Sequence, residues 1–293
     1  MRDNFNILIT CYNRAENLEE LILNVLKNTN SKVFIHQDGP KPNDTNYDEQ
    51  RRVYEILKKY KSKRVLILRQ KSNLGCYKAV KFAIDWAIET SEYLLILEDD
   101  LIVDKAAFSF LRNSVHILSS PSVATISLFR DTIDVRYFKN KIQASSFFSS
   151  WGWATSASHW STFEDRINLS SFVRVIFNIW RNFGYQPTLK FSIIYKKIYY
   201  GQIDSWAYRW FFSLLAQKKI TVYPTRNYII NTGFGKNATH TKINRLHNFN
   251  LQTKNNVNEF EISKLNPINI YFEKLLLQSR FGFTNSRKYP YVR

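Results

Sequence analysis

Three acidic residues, Glu98, Asp99 and Asp100, stand in a row directly after the apolar run 93–97. Three carboxylates at a buried strand end repel one another, which costs on the order of several kcal/mol if they stay unpaired. A divalent cation would relieve this repulsion, and oxygen ligands suit Mn²⁺ or Mg²⁺. Such a metal bridges diphosphate oxygens and neutralises a leaving nucleoside diphosphate. The alternative is an acidic cap on the next helix, for which Asp104 is better placed.

Further polar residues lie at or just after other apolar runs. Asp38 can accept a hydrogen bond from a pyrimidine N–H or a ribose, or it can belong to an ordinary Asp-Gly turn with Gly39. Thr10 ends the first run, and Arg14 after it either binds phosphate or base or is a solvated loop arginine. Lys78 opens a helix, a place where anions bind, although one lysine there carries little weight.

The elements that must position these residues alternate regularly over the first 130 residues. We predict strands at 5–11, 32–36, 64–68 and 93–97, and helices at 16–27, 47–60 and 77–90. Strands that alternate with helices of about 10–15 residues predict an α/β fold with a mostly parallel, Rossmann-like sheet covered by helices. Ligands bind beyond the C-terminal strand ends of such sheets, which is where the polar residues fall.

The alternation fades after about residue 130. We expect an aromatic and small-residue segment at 145–160, helices near 172–183 and 204–217, a strand at 221–224 and a glycine-containing loop at 231–240. The chain therefore divides into residues 1–130, a less regular part at 131–250, and a C-terminal tail at 251–293.

The composition indicates a basic, folded protein. Hydrophobic residues make up 44% of the chain, and 42 Lys and Arg against 24 Asp and Glu give a net charge of +18. Such a charge favours a polyanionic partner, which can be nucleic acid, an anionic membrane or anionic substrates. Cys11 and Cys76 form no disulfide framework, and we find no signal peptide and no apolar run of about 20 residues. We expect a cytoplasmic protein and leave a peripheral contact with the inner face of the membrane open.

Three segments resemble the GT-A glycosyltransferase fold: Ile7–Arg14, His36–Gly39 and Leu95–Asp100. The Glu-Asp-Asp form of the metal motif is similar to that of N-acetylglucosaminyltransferase I, an inverting enzyme, and the chain also resembles family 2-like bacterial glycosyltransferases. Later segments follow the same order over roughly residues 5–242. They are the Gly-Trp segment Ser149–Trp153, the acid-and-tryptophan helix start Ile203–Trp206, Tyr223–Pro224, Thr232–Gly235 and His240.

The resemblance implies a role for each matching residue. Asp100 would be the direct metal ligand, and Asp204 the general base that takes the proton from an acceptor hydroxyl. The implied donor contacts are Thr10, Arg14, Asp38, Lys78, Glu98 and Asp99. The implied sugar and acceptor pocket is formed by Trp151, Gly152, Trp153 and Trp206, and the diphosphate loop by Gly233 and His240. Residues 1–130 would then bind the nucleotide-sugar, residues 131–250 the acceptor, and residues 251–293 would pack on the domain or on a membrane surface.

Some of these roles compete with plain structural explanations. Asp204 stands between Ile203 and Trp206, so partial burial is expected to favour a base, yet the same residue suits a helix N-cap. Trp151 and Trp153 can form a sugar platform or pack in the core. His240 can close over the diphosphate or sit in a polar loop.

The leading hypothesis is a metal-dependent, inverting hexosyl- or N-acetylhexosaminyltransferase. It would move a sugar from a nucleoside diphosphate donor, expected to be a UDP-sugar, to a glycan or lipid-linked saccharide in surface polysaccharide biosynthesis. A sugar nucleotidyltransferase is the alternative among enzymes, but residues 13–17 lack the glycine-rich loop it normally uses. A basic nucleic-acid-binding protein is a further alternative, and we expect no nucleic-acid partner because the converging acids would repel phosphate.

Overall fold

The computed structural model of the protein describes residues 3–42, 47–130, 142–164, 168–233 and 268–281. The strands are β1 (Asn6–Cys11), β2 (Val33–Gln37), β3 (Val65–Arg69), β4 (Tyr93–Glu98), β5 (Leu101–Val103), β6 (Val123–Ser127), β7 (Gln143–Ser145), β8 (Trp153–Ser156), β9 (Ile220–Tyr223) and β10 (Ile229–Asn231). The helices are α1 (Leu18–Asn28), α2 (Tyr47–Tyr60), α3 (Cys76–Ile88), α4 (Ala106–Ser114), α5 (Ala157–Trp160), α6 (Leu169–Phe183), α7 (Tyr185–Tyr199), α8 (Trp206–Ala216) and α9 (Ile270–Phe281). A short 3₁₀ helix at Val115–Ser119 follows α4.

A single large sheet runs through the described part of the chain. Its eight strands lie in the order β3-β2-β1-β4-β8-β6-β9-β7, and β1 to β4 pair in parallel. Strand β8 runs antiparallel to β4 and β6, and β7 runs antiparallel to β9. The predicted α/β fold with a mostly parallel sheet is confirmed. Two further strands, β5 and β10, form a small antiparallel pair beside it.

The central strands are buried because helices cover both faces of the sheet. Successive side chains of a strand point to opposite faces, so Ile7 and Ile9 enter one hydrophobic core and Leu8 enters the other. The first core takes apolar residues of α1, α2 and α4. The second takes those of α3, α6, α7, α8 and α9, including the aromatic residues of the second half.

The strand register determines where the functional edge lies. Thr10 of β1 pairs with His36 of β2 on one side and with Glu98 of β4 on the other. The three strands therefore end at nearly the same level. Whatever follows their last residues must project into one shared space at the C-terminal edge of the sheet.

The second half of the chain extends the same sheet. Strand β8, which contains Trp153, inserts between β4 and β6. The sequence did not predict β6, β7, β8 or α7. The bounds of the predicted elements of the first half agree with the structure within about two residues. The division at residues 130 and 250 stays a prediction.

The C-terminal helix α9 packs onto the second core. Phe272 and Leu276 are buried there, and so is the carboxylate of Glu273. Oε1 of Glu273 accepts hydrogen bonds from both N and Oγ of Ser146, each at 2.6 Å. Across the described ranges, no helix has the length and apolar character needed to cross a bilayer.

Candidate active site

The loops after β1, β2 and β4 are tied together by their backbones. The N–H of Asp38 donates to the carbonyl of Cys11 at 3.1 Å, and the N–H of Asp99 donates to the carbonyl of Thr10 at 3.1 Å. The N–H of Tyr12 also donates to Oδ2 of Asp99 at 3.1 Å. The first turn after each strand is therefore held by its neighbour, which brings the predicted polar residues of all three strand ends to one edge.

Arg14 lies against the acidic triplet. Its Nη1 donates to Oδ2 of Asp100 at 2.6 Å and approaches Oδ1 of Asp99 at 3.5 Å. Both aspartates are buried, while the Arg14 side chain is 34% exposed. Burial lowers the pKa of Arg14, but the carboxylates of Asp99 and Asp100 outweigh this and raise the pKa overall. Arg14 therefore stays charged and offsets part of the negative charge of the cluster.

The triplet still carries a strong excess of negative charge. Burial, followed by repulsion from Asp100 and Asp99, raises the pKa of Glu98 to about 8. Burial, followed by repulsion from Asp100, raises the pKa of Asp99 to about 7. Burial likewise raises the pKa of Asp100, while Arg14 lowers it. One guanidinium is thus not enough for three carboxylates in this space, and an additional cation would be favourable.

A divalent cation fits part of this arrangement. Oδ1 of Asp100 is buried and has no hydrogen-bond partner within the described part of the chain, so one carboxylate oxygen remains available to a cation. Carboxylate oxygens are the ligands that Mg²⁺ and Mn²⁺ take. Within those same ranges, no group of three or more His, Cys, Asp or Glu residues is arranged to hold a metal by itself. A metal here would need further oxygens, such as those of a diphosphate and water.

Asp38 is held by the loop between β3 and α3. Its Oδ1 accepts from the N–H groups of Gly39 and Leu74, both at 2.9 Å, and its Oδ2 accepts from Asn73 Nδ2 at 2.8 Å. Burial raises its pKa, while these backbone donors lower it. Gly39 is required here, because a Cβ would lie 2.4 Å from the backbone of Ser72. The predicted Asp-Gly turn is present, and the aspartate accepts hydrogen bonds from the loop that leads into α3.

Asp204 reaches the N-terminus of α3. Its Oδ1 accepts the N–H of Tyr77 at 3.1 Å, and a Cβ on Gly75 would lie 2.7 Å from its Oδ2. Gly75 has a φ of +81°, a region that glycine enters without strain. The N-cap of α8 is Ser205, whose side chain accepts from the N–H of Tyr208. The prediction that Asp204 caps its own helix is therefore wrong: it contacts the start of a different helix.

The expected partial burial of Asp204 is also wrong. Its side chain is exposed, whereas the neighbouring Ile203 and Trp206 pack against the second core. Exposure leaves the carboxylate open to a bound molecule.

The predicted tryptophans of the site differ in burial. Trp153 is fully buried and stacks on Trp206, with ring centroids 5.5 Å apart. Trp206 also hydrogen-bonds to Glu98, so it connects the aromatic core to the acidic triplet. Trp151 is partly buried and meets Phe129 edge-on at 4.6 Å. The core-packing explanation therefore applies to Trp153, and Trp151 is the more exposed of the two indoles.

Gly152 separates the two indoles in a conformation that turns the chain. Its φ is +63°, and a Cβ there would lie 2.8 Å from Cδ1 of Ile229. The glycine of the predicted Gly-Trp segment is thus needed for both its backbone angle and its close packing.

The segment after β10 closes over Asp100. The N–H and Oγ1 of Thr232 both donate to the carbonyl of Asp100 at 2.9 Å, and Asn17 Nδ2 donates to Thr232 Oγ1 at 2.7 Å. A Cβ on Gly233 would lie 2.1 Å from Oδ2 of Asp100, so a larger residue would displace this carboxylate. The structure places Gly233 next to the triplet. Its role in a diphosphate loop stays a prediction. His240 lies outside the described residues.

Two predicted donor contacts, Thr10 and Lys78, differ in exposure. Thr10 is buried, and its Oγ1 donates to the carbonyl of Leu97 at 3.4 Å. Lys78 is exposed in the first turn of α3. Arg209 was not predicted, yet its guanidinium lies 4.3 Å from the ring centroid of Tyr77, next to Asp204. Its position three residues after Trp206 on α8 was the available signal.

Three solved structures with low similarity to this chain are enzymes. A mannosyltransferase from Pyrobaculum calidifontis in complex with GDP-Man and Mn²⁺ is 15% identical, with 74% of each chain covered and a TM-score of 0.40. A mannose-1-phosphate geranyltransferase from Thermus thermophilus is 12% identical, with 75% of this chain and 73% of that chain covered and a TM-score of 0.39. A 4-diphosphocytidyl-2C-methyl-D-erythritol synthase from Anaerococcus prevotii is 10% identical, with 76% and 88% covered and a TM-score of 0.35. All three similarities are low in identity and in TM-score.

No curated protein sequence matches the chain. A family model does match: residues 6–116 fit the model of glycosyl transferase family 2. The matched range contains β1 to β4, Arg14, Asp38 and the acidic triplet. The match does not test the finer resemblance to N-acetylglucosaminyltransferase I, which stays a prediction. The sheet, its acidic edge and this match support a glycosyltransferase of the GT-A fold, with the similarity to family 2 covering residues 6–116.

Proposed function

We propose that the protein transfers a sugar from a nucleoside diphosphate donor, a UDP-sugar, to the hydroxyl of a saccharide or lipid-linked saccharide. The transfer is metal-dependent and inverts the anomeric configuration. The observation that carries the proposal is the geometry of Asp100. Its buried Oδ1 lacks a hydrogen-bond partner among the described residues, at a strand edge that lies within the range matched by the family model.

The donor nucleotide is proposed to lie across the ends of β1, β2 and β4. Asp38 is at the end of β2 and takes the pyrimidine, while Arg14 faces the anionic groups of the donor. Thr10, Lys78, Glu98 and Asp99 complete the proposed donor site.

The proposed cofactor is Mn²⁺ or Mg²⁺, held by Asp100 with Asp99 beside it. When bound, such an ion neutralises the charge that develops on the departing diphosphate. Arg14 contributes to the same charge balance, since it already lies within 2.6 Å of Asp100. Gly233 adds no side chain of its own next to Asp100.

Asp204 is proposed as the general base. Its Oδ1 is held by the N–H of Tyr77, so the carboxylate has a fixed orientation while its surface remains exposed. It takes the proton from the acceptor hydroxyl as that oxygen attacks the anomeric carbon. The bond between this carbon and the diphosphate oxygen breaks in the same step, which inverts the configuration.

The acceptor is proposed to lie between Asp204 and the segment that carries Trp151, Gly152 and Trp153. Trp206 supports this side by packing on Trp153 and bonding to Glu98. The proposed pathway is the assembly of surface polysaccharide. The net charge of +18 supports an acceptor presented at an anionic surface.

A thermal-shift panel tests donor class and metal use together. UDP, GDP, TDP and CMP are each added with and without Mn²⁺ or Mg²⁺, and UDP with metal is expected to give the largest rise in Tm. A ligand at about 100 times its Kd adds about 2.7 kcal/mol to the unfolding free energy. Asp100→Asn should lose the metal-dependent part of this rise, whereas Asp48→Asn, an exposed aspartate on α2, should keep it.

Two results would overturn parts of the proposal. A rise in Tm with UDP that is the same in EDTA and in Mn²⁺ would remove the metal, and so would sugar transfer that continues in excess EDTA. A larger rise with GDP or TDP than with UDP would replace the proposed donor while leaving the transferase intact.

A further inference from the structure

Helix α6 has two apolar faces, of which one is exposed. Val175 and Ile179 are buried in the second core. On the other side, Leu169, Val173, Phe177 and Trp180 recur at intervals of three and four residues and are 55–77% exposed. One apolar stripe is what a helix on a soluble body needs, so the second stripe requires a separate explanation.

Helix α7 repeats this arrangement. Its buried side includes Phe191 and Ile198, which join the same second core. Its opposite side carries Tyr185, Leu189 and Ile193, which are 46–69% exposed. Tyr199 and Tyr200 at its end are exposed as well.

The two stripes form one surface. Helices α6 and α7 are separated only by Gly184, which has a φ of +80°, and they pack against each other as a hairpin. Because both helices bury their inner sides in one core, both outer stripes point away from it. We call the exposed apolar residues of α6 and α7 the hairpin surface.

The charged side chains within the hairpin itself are all basic. Residues 168–203 contain no aspartate or glutamate. They contain five basic residues: Arg174, Arg181, Lys190, Lys196 and Lys197. Arg174 pairs with Glu164 at 3.0 Å, and Lys190 donates to the carbonyl of Phe281 at 3.3 Å. Arg181, Lys196 and Lys197 are exposed beside the stripes.

We propose that the hairpin surface binds the face of a bilayer that contains anionic lipids. Apolar and aromatic side chains enter the headgroup region, where Trp and Tyr are favoured, while lysine and arginine attract the lipid phosphates. A second copy of the chain is the less favourable occupant, since joining two such surfaces would bring like charges together. The charge complementarity therefore selects an anionic, apolar partner.

Docking in this way would also orient the proposed site. Tyr200 and Asp204 are four residues apart, so the hairpin leads directly into the segment that carries the proposed base. A lipid-linked acceptor could then be reached from the docked protein. Lipid binding itself does not depend on the transfer reaction, and it is measured without donor or acceptor.

Flotation with vesicles tests the proposal. The full chain is mixed with vesicles of phosphatidylcholine alone or of phosphatidylcholine with phosphatidylglycerol. We expect flotation with the anionic vesicles and a blue shift of tryptophan fluorescence that Trp180→Phe reduces. Phe177→Ser combined with Trp180→Ser should weaken binding by about tenfold or more, because two aromatic side chains no longer enter the headgroup region of the bilayer. Lys196→Glu combined with Lys197→Glu should also weaken it by about tenfold or more.

Control variants test whether binding requires the hairpin surface or only exposed apolar and basic residues in general. Leu23→Ser with Tyr47→Ser removes two exposed apolar residues elsewhere, and Lys58→Glu with Lys59→Glu reverses the basic end of α2. These controls should retain most of the binding, and every variant should keep the wild-type Tm within a few degrees. Equal loss in hairpin and control variants overturns the proposal, as does absence of binding to anionic vesicles. A dimer that dissociates in the Phe177 and Trp180 variant would overturn it in favour of self-association.

Discussion

Oδ1 of Asp204 accepts a hydrogen bond from the backbone N–H of Tyr77 at 3.1 Å, although the two residues are 127 positions apart. This bond ties the segment before α8 to the first turn of α3. It therefore joins the acceptor side of the proposed site to its donor side. It also gives Asp204 a structural task at a helix N-terminus in addition to the chemical task proposed for it.

The amide variant Asp204→Asn separates these two tasks. Its side-chain oxygen can still accept from Tyr77, so we expect a Tm within a few degrees of wild type and unchanged UDP binding. It cannot take a proton, so kcat should fall by about 10²–10⁴-fold. The measurement is steady-state transfer combined with thermal unfolding.

Ser205→Ala is the matched control for Asp204→Asn. It removes the N-cap of α8, which should cost about 1 kcal/mol of unfolding free energy and leave kcat near its wild-type value. If Asp204→Asn turned over donor at nearly the normal rate, the base would have to be a different residue, and the Tyr77 contact alone would explain Asp204.

Gly233→Ala should damage the site more than the fold. The new Cβ would lie 2.1 Å from Oδ2 of Asp100, so the carboxylate must move away from its position beside Arg14. A displacement of about 1 Å near the chemistry can cost about 10²-fold, and we expect a loss of this size in kcat/KM. Gly184→Ala is the control. Its φ of +80° strains any residue with a side chain, but no atom lies within 4 Å of the added Cβ. It should lose on the order of 1–3 kcal/mol of unfolding free energy and keep its activity. Wild-type kcat/KM in Gly233→Ala would show that Asp100 does not need its present position.

Trp151 and Trp153 should respond differently to truncation. Trp153→Ala removes a fully buried indole and should cost about 3–5 kcal/mol of unfolding free energy. Trp151→Ala removes a partly exposed one, so we expect a smaller loss of stability together with a higher KM for the acceptor. Thermal unfolding and acceptor titration check this. A purely structural role for Trp151 would leave the KM unchanged.

The first half of the fold was predictable because its signals are local. Apolar runs such as 93–97 are buried on both faces in the parallel part of the sheet, and helices such as Tyr47–Tyr60 have a clear amphipathic period. The convergence of Asp38 and Glu98 followed from parallel topology alone, since such strands end on one edge.

The second half was not predictable in the same way. Gln143–Ser145 and Trp153–Ser156 are three- and four-residue strands of small polar and aromatic residues, and pairing with distant strands makes them regular. Helix α7 was missed because its outer side is apolar too, which hides the period of its inner side. The contact between Asp204 and Tyr77 joins residues 127 positions apart, and no spacing in the sequence reveals it.

Glu273 gives a pH-dependent prediction. Burial raises the pKa of this carboxyl above its ordinary value, and hydrogen bonds from Ser146 and Ser145 only partly offset the effect. The native state then holds the proton more tightly than the unfolded state. The associated stability is fully present below the unfolded pKa of about 4.5 and is lost as pH rises through the higher native pKa.

Glu273→Gln removes this ionisation while its amide oxygen can still accept from the N–H of Ser146. We therefore expect the variant to gain Tm relative to wild type as pH rises above about 4.5, because only the wild type must then bury a charge or take up a proton. Glu89→Gln, an exposed glutamate next to α3, reports the general effect of losing one negative charge. Unfolding curves from pH 4 to pH 8 measure the difference. A Tm gap that stays constant over this range, or that shifts toward wild type at high pH, would mean that the ionised carboxylate is the form the native packing of α9 favours.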